Sequence, residues 1–391
     1  MDSRHRLTAL AVEGSDAVVA GELVRVRLAL RGAHRAAHGT EHDRDVVLVG
    51  VHDAEGNQGW GECPTLSVAG YSTEDPDGAW QVLVGDLLPS LLGGTVRGPL
   101  AAGVPLDPRH PMASAAVEAA VVDLALRRHD ESLAGALGAD TSALARTVVL
   151  SALGTADGTA DGDELVAMVD AAVAGGARMV KFKVSPATDL GPLVALRRER
   201  PGVSIAVDAN GSLVGANEVV AGLAGLGLAY VEQPAPPRST HAAALRSALG
   251  VPVALDESAV SPEALEAALA AGEGDIVNVK PARLGGIAAA LRCVEVARSH
   301  GARVFVGGLL ETGVGRAVAA ALAAGIVAGN PGETLPCDLG PSSQYFDDDV
   351  TDPVVVDGAG DLVVPTGPGI GVVPRADRLG AVTVARVEVS R

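Results

Sequence analysis

Six charged residues each sit at the end of a short β-branched or aromatic run. They are Lys181 and Lys183 in VKFKV, Asp208 in VDAN, Glu232 in VEQP, Asp256 in LDES and Lys280 in VKP. From Lys183 onward the intervals are 25, 24, 24 and 24 residues, about the length of one strand–helix unit. In a barrel, equivalent strand ends meet at the upper rim, so these groups should face one cavity. Three carboxylates from consecutive strands offer the hard oxygen donors that Mg²⁺ prefers, with Mn²⁺ as a substitute. A divalent ion held there would grip a substrate carboxylate and stabilise the enediolate formed when its alpha proton leaves. A lysine accepts that proton only while part of its population is uncharged, a form that neighbouring cations favour. Lys181 and Lys183 lie two apart and project to one side of their strand. Mutual repulsion and the metal should deprotonate one of them, while Lys280 should approach the substrate from the opposite face.

Any one of these residues alone reads as a solvated strand end or a helix cap; DES at 256–258 would cap the next helix. That explanation does not extend to five positions held in register. GGLLETGVGR at 307–316 places Gly308, Glu311 and Thr312 near the same rim, where a helix cap is an equal reading. No GxSxG elbow supports nucleophilic catalysis, and no GxGxxG opens a dinucleotide fold.

The elements that must position these groups follow from periodicity. TVVLSAL, MVKFKV, SIAVDA, AYVEQP, VALDES, IVNVKP, RVFVGG and ETLPCD alternate with Ala- and Leu-rich stretches of helical length. That order predicts an α/β architecture, a (β/α)8-type barrel, over residues 131–340. Ahead of it, ELVRVRLAL, DVVLVGV and GWGEC read as antiparallel strands, and MASAAVEAAVVDLALRR as a helix behind Pro111. These make an α+β domain over residues 1–130. Residues 31–44, RGAHRAAHGTEHDR, read as a surface loop carrying His34, His38 and His42. From Asp352 the tail reads as hairpin-like, with residues 341–391 packing back on the first domain.

The 391 residues are 48% hydrophobic, enough for a large core. Aromatics are only 2%, so Ala, Val and Leu must fill it. A formal charge of -18 argues against nucleic acid and anionic membrane as partners. A small carboxylate substrate would then need local positive charge from metal and inward lysines. Cys63, Cys293 and Cys337 are widely spaced and read as reduced, buried residues of a cytoplasmic protein. The start, MDSRHRLTAL, has no signal-peptide pattern, and no apolar run is of membrane-spanning length. Oligomeric state is open, a homo-oligomer included.

With GWGEC, GYSTE, KFK, DAN, EQP, LDES and NVKPARLGG in this order, the chain resembles the enolase superfamily, specifically its muconate-lactonizing subgroup. GGLLETGVGRAVAAALAA, DLGPSSQYFDDDV and VPTGPGIGV further resemble the o-succinylbenzoate synthase and N-acylamino acid racemase families. The resemblance implies a (β/α)7β TIM-like barrel with an α+β cap built from the N-terminal region and the C-terminal tail. It implies Mg²⁺ on Asp208, Glu232 and Asp256, Lys183 as base with Lys181 beside it, and Lys280 opposite. Asn210 and Glu257 would orient the ligands and tune Lys280. The expected reaction is dehydration of a cyclohexadiene carboxylate to o-succinylbenzoate in menaquinone biosynthesis, with racemisation of N-succinylamino acids as the alternative. Ala282, where racemase-like members usually carry Gly, and the histidines of residues 31–44 favour the synthase. A dipeptide epimerase would need a carboxylate for the substrate amine near strand eight, where DLG at 338–340 instead continues the synthase-like pattern. A barrel that binds a small acid without turning it over leaves the costly set of buried charges without a purpose.

Overall fold

A computed structural model describes residues 17–390 except 37–38, 68–71, 94–106, 141, 151–152, 154–160, 330–331 and 333, together with Arg6, Leu7, Ala9 and Glu13. The chain opens with β1 (Val18–Ala36), β2 (Gly39–Asp53) and β3 (Gln58–Cys63), an antiparallel meander. The helices α1 (Pro76–Val82) and α2 (Leu88–Gly93) follow, joined by a π-helical turn, and then α3 (Pro111–Arg128) and the short α4 (Leu133–Ala136).

The stretch expected as a loop at 31–44 is instead the far end of the β1–β2 hairpin. The strands pair out to Ala36↔Gly39, with an irregularity between Ala29 and His34. The loop reading failed because two of its charged residues are drawn inward by partners distant in sequence: on β2, His42 and Asp43 are exposed, while Glu41 and Arg44 are buried and Arg44 bonds the Pro64 and Leu309 carbonyls. His34 lies on β1 and His38 lies outside the described residues.

β4 (Ala143–Leu144) precedes the parallel sheet: β5 (Thr147–Leu150), α5 (Gly162–Ala174), β6 (Met179–Lys183), α6 (Gly191–Glu199), β7 (Ile205–Asp208), α7 (Asn217–Ala224) and β8 (Tyr230–Glu232). It continues through α8 (Ala242–Leu249), β9 (Val253–Leu255), α9 (Pro262–Ala270), β10 (Ile276–Val279), α10 (Pro281–Leu284), α11 (Ile287–Ser299), β11 (Arg303–Val306) and α12 (Gly313–Gly329). Strands β5 to β11 pair in sequence order. The eighth run forms only bridges, but they close the ring: Leu335 N–H donates to Val304 and Asp338 N–H to Val306, while Thr147 N–H donates to Cys337.

The tail divides its contacts. β12 (Leu362–Val363) pairs with β4 beside the barrel. Past α13 (Ala376–Val382), β13 (Thr383–Ser390) joins β1, giving the order β13-β1-β2-β3. The tail therefore serves both layers: β12 pairs beside the barrel, Ile370 N–H and the Val372 carbonyl bond Asp123 and Arg127 of α3, and β13 joins the first sheet.

Two contacts decide how the layers sit. First, α3 lies against β3 because Gly59 and Gly61 lack side chains. A Cβ on Gly61 would stand 2.0 Å from the Ala116 carbonyl oxygen. Second, carboxylates from the N-terminal layer terminate barrel helices. Glu62 of β3 accepts from the N–H groups of Thr312 (2.9 Å) and Gly315 (2.8 Å) at the start of α12. Glu118 of α3 accepts from Ile287 and Ala288 at the start of α11. Each anion satisfies orphan amide donors and meets the positive end of a helix dipole. Burial nevertheless pushes both carboxyls up to about 7, against the lowering effect of those N–H bonds. Among the described residues no helix is long and apolar enough to cross a membrane.

Gly61→Ala is expected to destabilise the protein by about 3 kcal/mol or more, because backbone must move; urea unfolding measures it. Raised carboxyl pKa values mean that stability from Glu62 and Glu118 is fully present below about pH 4.5 and lost as pH rises through about 7. Melting scans between pH 5 and 8 should show a shallower fall for Glu118→Gln than for the parent protein.

Candidate active site at the barrel rim

Alternation along the parallel strands stacks the barrel interior in layers. The floor is apolar: Met179, Ala206, Tyr230, Ala254, Ile276 and Phe305, with the Tyr230 and Phe305 rings stacked at 5.6 Å. Two residues further along each strand come Lys181, Asp208, Glu232, Asp256 and Asn278. Lys183 and Lys280 stand one layer higher. β6 and β10, which carry the two upper lysines, are separated by three strands on one side and by β11, the closing segment and β5 on the other. They occupy facing sectors of the ring.

Each charge in this mouth has a partner. Lys181, only 3% exposed, donates to Glu232 Oε2 at 2.7 Å and to Asp338 Oδ2 at 2.5 Å. Burial alone would lower its pKa, but Asp338 and Glu232 outweigh it and hold the ammonium well above its usual range. Repulsion between the two lysines of KFK therefore does not unload Lys181, because carboxylates neutralise it first. Lys183 Nζ donates instead to the neutral amide Oδ1 of Asn210 at 3.2 Å and lies 3.9 Å from Asp208. Its side chain keeps 24% exposure, so it is the more accessible amine.

On the facing side, Lys280 Nζ donates to Asp256 Oδ2 at 3.0 Å, and Arg283 donates to the other oxygen of that carboxylate. Burial would raise Asp256, yet Arg283 and Lys280 together pull it well below the usual carboxylate range. Glu232 responds the other way. Burial, reinforced by Asp208 and Asp256 and opposed by Lys181, pushes its carboxyl up to about 8. Asn278 donates to its second oxygen at 2.8 Å.

Two non-glycine residues adopt left-handed backbone here, Asn210 at φ 42° and Gln233 at φ 37°, each an unfavourable conformation costing on the order of 1 kcal/mol. Their side-chain amides show what is gained. Gln233 Oε1 accepts from the amides of Asp256 and Ser258 (2.9 and 3.1 Å), fixing the next strand end. Asn210 links Lys183 to Glu257, donating to its Oε1 at 3.0 Å. The other Glu257 oxygen is buried without a hydrogen-bond partner among the described residues, and burial with the nearby aspartates raises this carboxyl to about 7.

The six strand-end residues and the Asn210–Glu257 pair are thus brought together. The segment after β11 is occupied internally. Glu311 accepts from Leu309 N–H at 2.8 Å and faces Arg316, while Thr312 bonds Glu62. Gly308 makes room for the Glu311–Arg316 pair, since a Cβ there would lie 2.7 Å from Arg316 Nη1. The sequence reading missed Asn278, Gln233 and Arg283 as partners of the carboxylates. The first lies two residues before Lys280 on one face and the second directly after Glu232, which is the available signal. Arg283 follows Lys280 by one helical turn.

Among the described residues no three carboxylate, histidine or cysteine side chains are already gathered as a cation cage. Glu232 is engaged by Lys181 and Asn278, and Asp256 by Lys280 and Arg283. The donor chemistry still fits a divalent ion. Asp208 and Glu232 are register neighbours on adjacent strands, and Asp256 ends the next, so three hard oxygen donors come from consecutive strands.

Known proteins are similar to this chain in sequence and in fold. The family described as Enolase C-terminal domain-like matches residues 164–378. An N-succinylamino acid racemase of an Amycolatopsis species is 38% identical over 375 residues, covering 94% of this chain and 97% of the relative. An o-succinylbenzoate synthase of Geobacillus stearothermophilus is 34% identical, covering 88% and 90%. The solved structure of a probable mandelate racemase from Alicyclobacillus acidocaldarius matches with a TM-score of 0.80 at 33% identity, covering 95% of this chain and 99% of that one. The chain belongs to the enolase superfamily.

Proposed function

We propose that this enzyme removes the proton alpha to a substrate carboxylate, and that its reaction is the dehydration of a 2-succinyl-6-hydroxycyclohexadiene carboxylate to o-succinylbenzoate in menaquinone biosynthesis. The observation that carries the reading is the pair of lysine amines on facing sectors of a rim, with three buried carboxylates on the strands between them. Asp208, Glu232 and Asp256 would hold Mg²⁺, or Mn²⁺ in its place. When bound, the ion supplies positive charge to the substrate carboxylate as its alpha carbon loses a proton.

The chain's own groups account for the rest. Lys183, facing an amide oxygen, accepts the alpha proton at Nζ. In the dehydration the same ammonium returns that proton to the departing hydroxide, so elimination proceeds on one face. Lys181, held cationic by Glu232 and Asp338, does not compete as a base. Lys280, bonded to Asp256, keeps an ammonium near the negative charge delocalised on the carboxylate. The low-dielectric apolar floor strengthens these interactions.

A second reading has a specific support: the racemase of the Amycolatopsis relative. In racemisation Lys183 and Lys280 exchange roles as base and acid on opposite faces of an N-succinylamino acid, which two facing lysines suit. Mixing the purified protein and Mg²⁺ with the cyclohexadiene substrate discriminates the two. Loss of diene absorbance, abolished by EDTA, is expected for the synthase. Stable absorbance with deuterium entering an N-succinylamino acid in D₂O would replace the first reading with the second, and silence in both assays would reject each.

Lys183→Ala should lower turnover by roughly a thousandfold, with circular dichroism and Mn²⁺ binding close to those of the parent. Activity within a few-fold of the parent would sink the assignment of the base.

A further inference from the structure

Among the described residues the two largest side chains wholly removed from solvent are both guanidiniums, Arg44 and Arg316, and both close on the stretch from Gly307 to Thr312. Arg316, on α12, reaches it from within the barrel, 2.8 Å from Glu311 and with its guanidinium carbon 5.4 Å from the centre of the Tyr345 ring. Arg44 comes from the other layer, on β2, in the segment whose polarity suggested a surface loop.

Arg44 spends its donors across that boundary. Nε donates to the Leu310 carbonyl at 3.3 Å and Nη2 to the Leu309 carbonyl at 3.1 Å. Nη2 also donates to the Pro64 carbonyl at 3.0 Å, and Nη1 to Glu41 at 3.1 Å. The other Glu41 oxygen accepts from Ser67 N–H at 2.6 Å. Leu310 is left-handed at φ 58°, a conformation a branched side chain keeps only when its surroundings impose it. The Arg44 bonds to the Leu310 carbonyl and to that of Leu309 are two such constraints on the turn. Just upstream, Gly307 sits against Asn278, where a Cβ would lie 2.3 Å from Oδ1, and Asn278 bonds Glu232. The turn is therefore part of the wall of the same mouth, and a guanidinium from the opposite layer fixes its shape.

We infer that Arg44 is a positioning residue for substrate binding: it locks the Leu309–Leu310 turn from the β2 side and so sets one wall of the mouth that holds Lys183 and Lys280. The inference rests on the reading of Lys183 and Lys280 as the acid–base pair acting on a succinylated carboxylate. A lysine cannot reproduce the forked contact, since its single ammonium cannot span both carbonyls and Glu41.

The test follows Arg44→Lys and the parent with whichever succinylated substrate the parent turns over. KM is expected to rise about tenfold with kcat within about threefold, and Mn²⁺ affinity is expected to stay unchanged. Hydrogen exchange of amides in 307–314 should accelerate while β6 to β8 keep their protection. An unmoved KM, or equal losses in kcat and metal affinity with exchange accelerated throughout the barrel, overturns the assignment of Arg44 alone. A parent protein inert toward both succinylated substrates overturns the functional reading and this inference with it. Should Arg44→Lys not fold, Glu41→Gln carries the test, with a KM rise of about threefold expected and an unchanged KM overturning the assignment.

Discussion

Burying several carboxylates on consecutive strand ends of one barrel mouth is the constraint around which this molecule is arranged. An isolated buried carboxylate is strongly disfavoured, and adjacent ones repel. The barrel mouth answers with cations placed so unevenly that the carboxyls separate in behaviour. Asp256, between Lys280 and Arg283, is held firmly ionised, whereas Glu232, with Lys181 alone against three acidic neighbours, is pushed up to about 8. The imbalance leaves the centre short of positive charge on the β7–β8 side. A protein with a formal charge of -18 can attract an anionic substrate to such a place only if local cations outweigh the global field.

The same chemistry recurs between the layers, with helix ends in place of ammonium groups. Glu62 and Glu118 leave the N-terminal layer to terminate α12 and α11, so backbone dipoles act as the counter-charge. Arg44 makes the reverse contact, a cation carried to backbone carbonyls. Polar groups thus cross the boundary in both directions, and each has a defined direction and reach. An apolar interface alone would tolerate sliding; these bonds fix the register of cap against barrel to within hydrogen-bond tolerance.

Much of this was legible in the sequence because period-two alternation and the 24-residue spacing report directly on strand ends. Lys183, Asp208, Glu232, Asp256 and Lys280 arrive where that spacing put them. The failures have physical causes. Residues 31–44 are rich in His, Arg and Gly, and that composition hid a hairpin whose Glu41 and Arg44 are buried by bonds to Ser67, Pro64 and Leu309. Repulsion within KFK looked like a way to discharge a lysine, but Asp338 comes from the closing segment, 157 residues from Lys181, and no local pattern announces it. Gly308, Glu311 and Thr312 lie at the rim as expected, yet their bonds run to Arg316, Leu309 and Glu62. A motif locates a residue without saying which way its side chain is engaged.

Asp338 also gives the barrel's closure a significance beyond topology. The eighth segment is joined to its neighbours by bridges instead of a continuous ladder, making it the seam of the ring. The carboxylate that, with Glu232, keeps Lys181 cationic is carried by that seam. Charge at the centre is therefore hostage to a joint held by isolated bridges. Substitutions along the seam that never approach a substrate would alter which amine in the mouth is available to accept a proton, giving variation a route to new chemistry that leaves every strand-end residue in place.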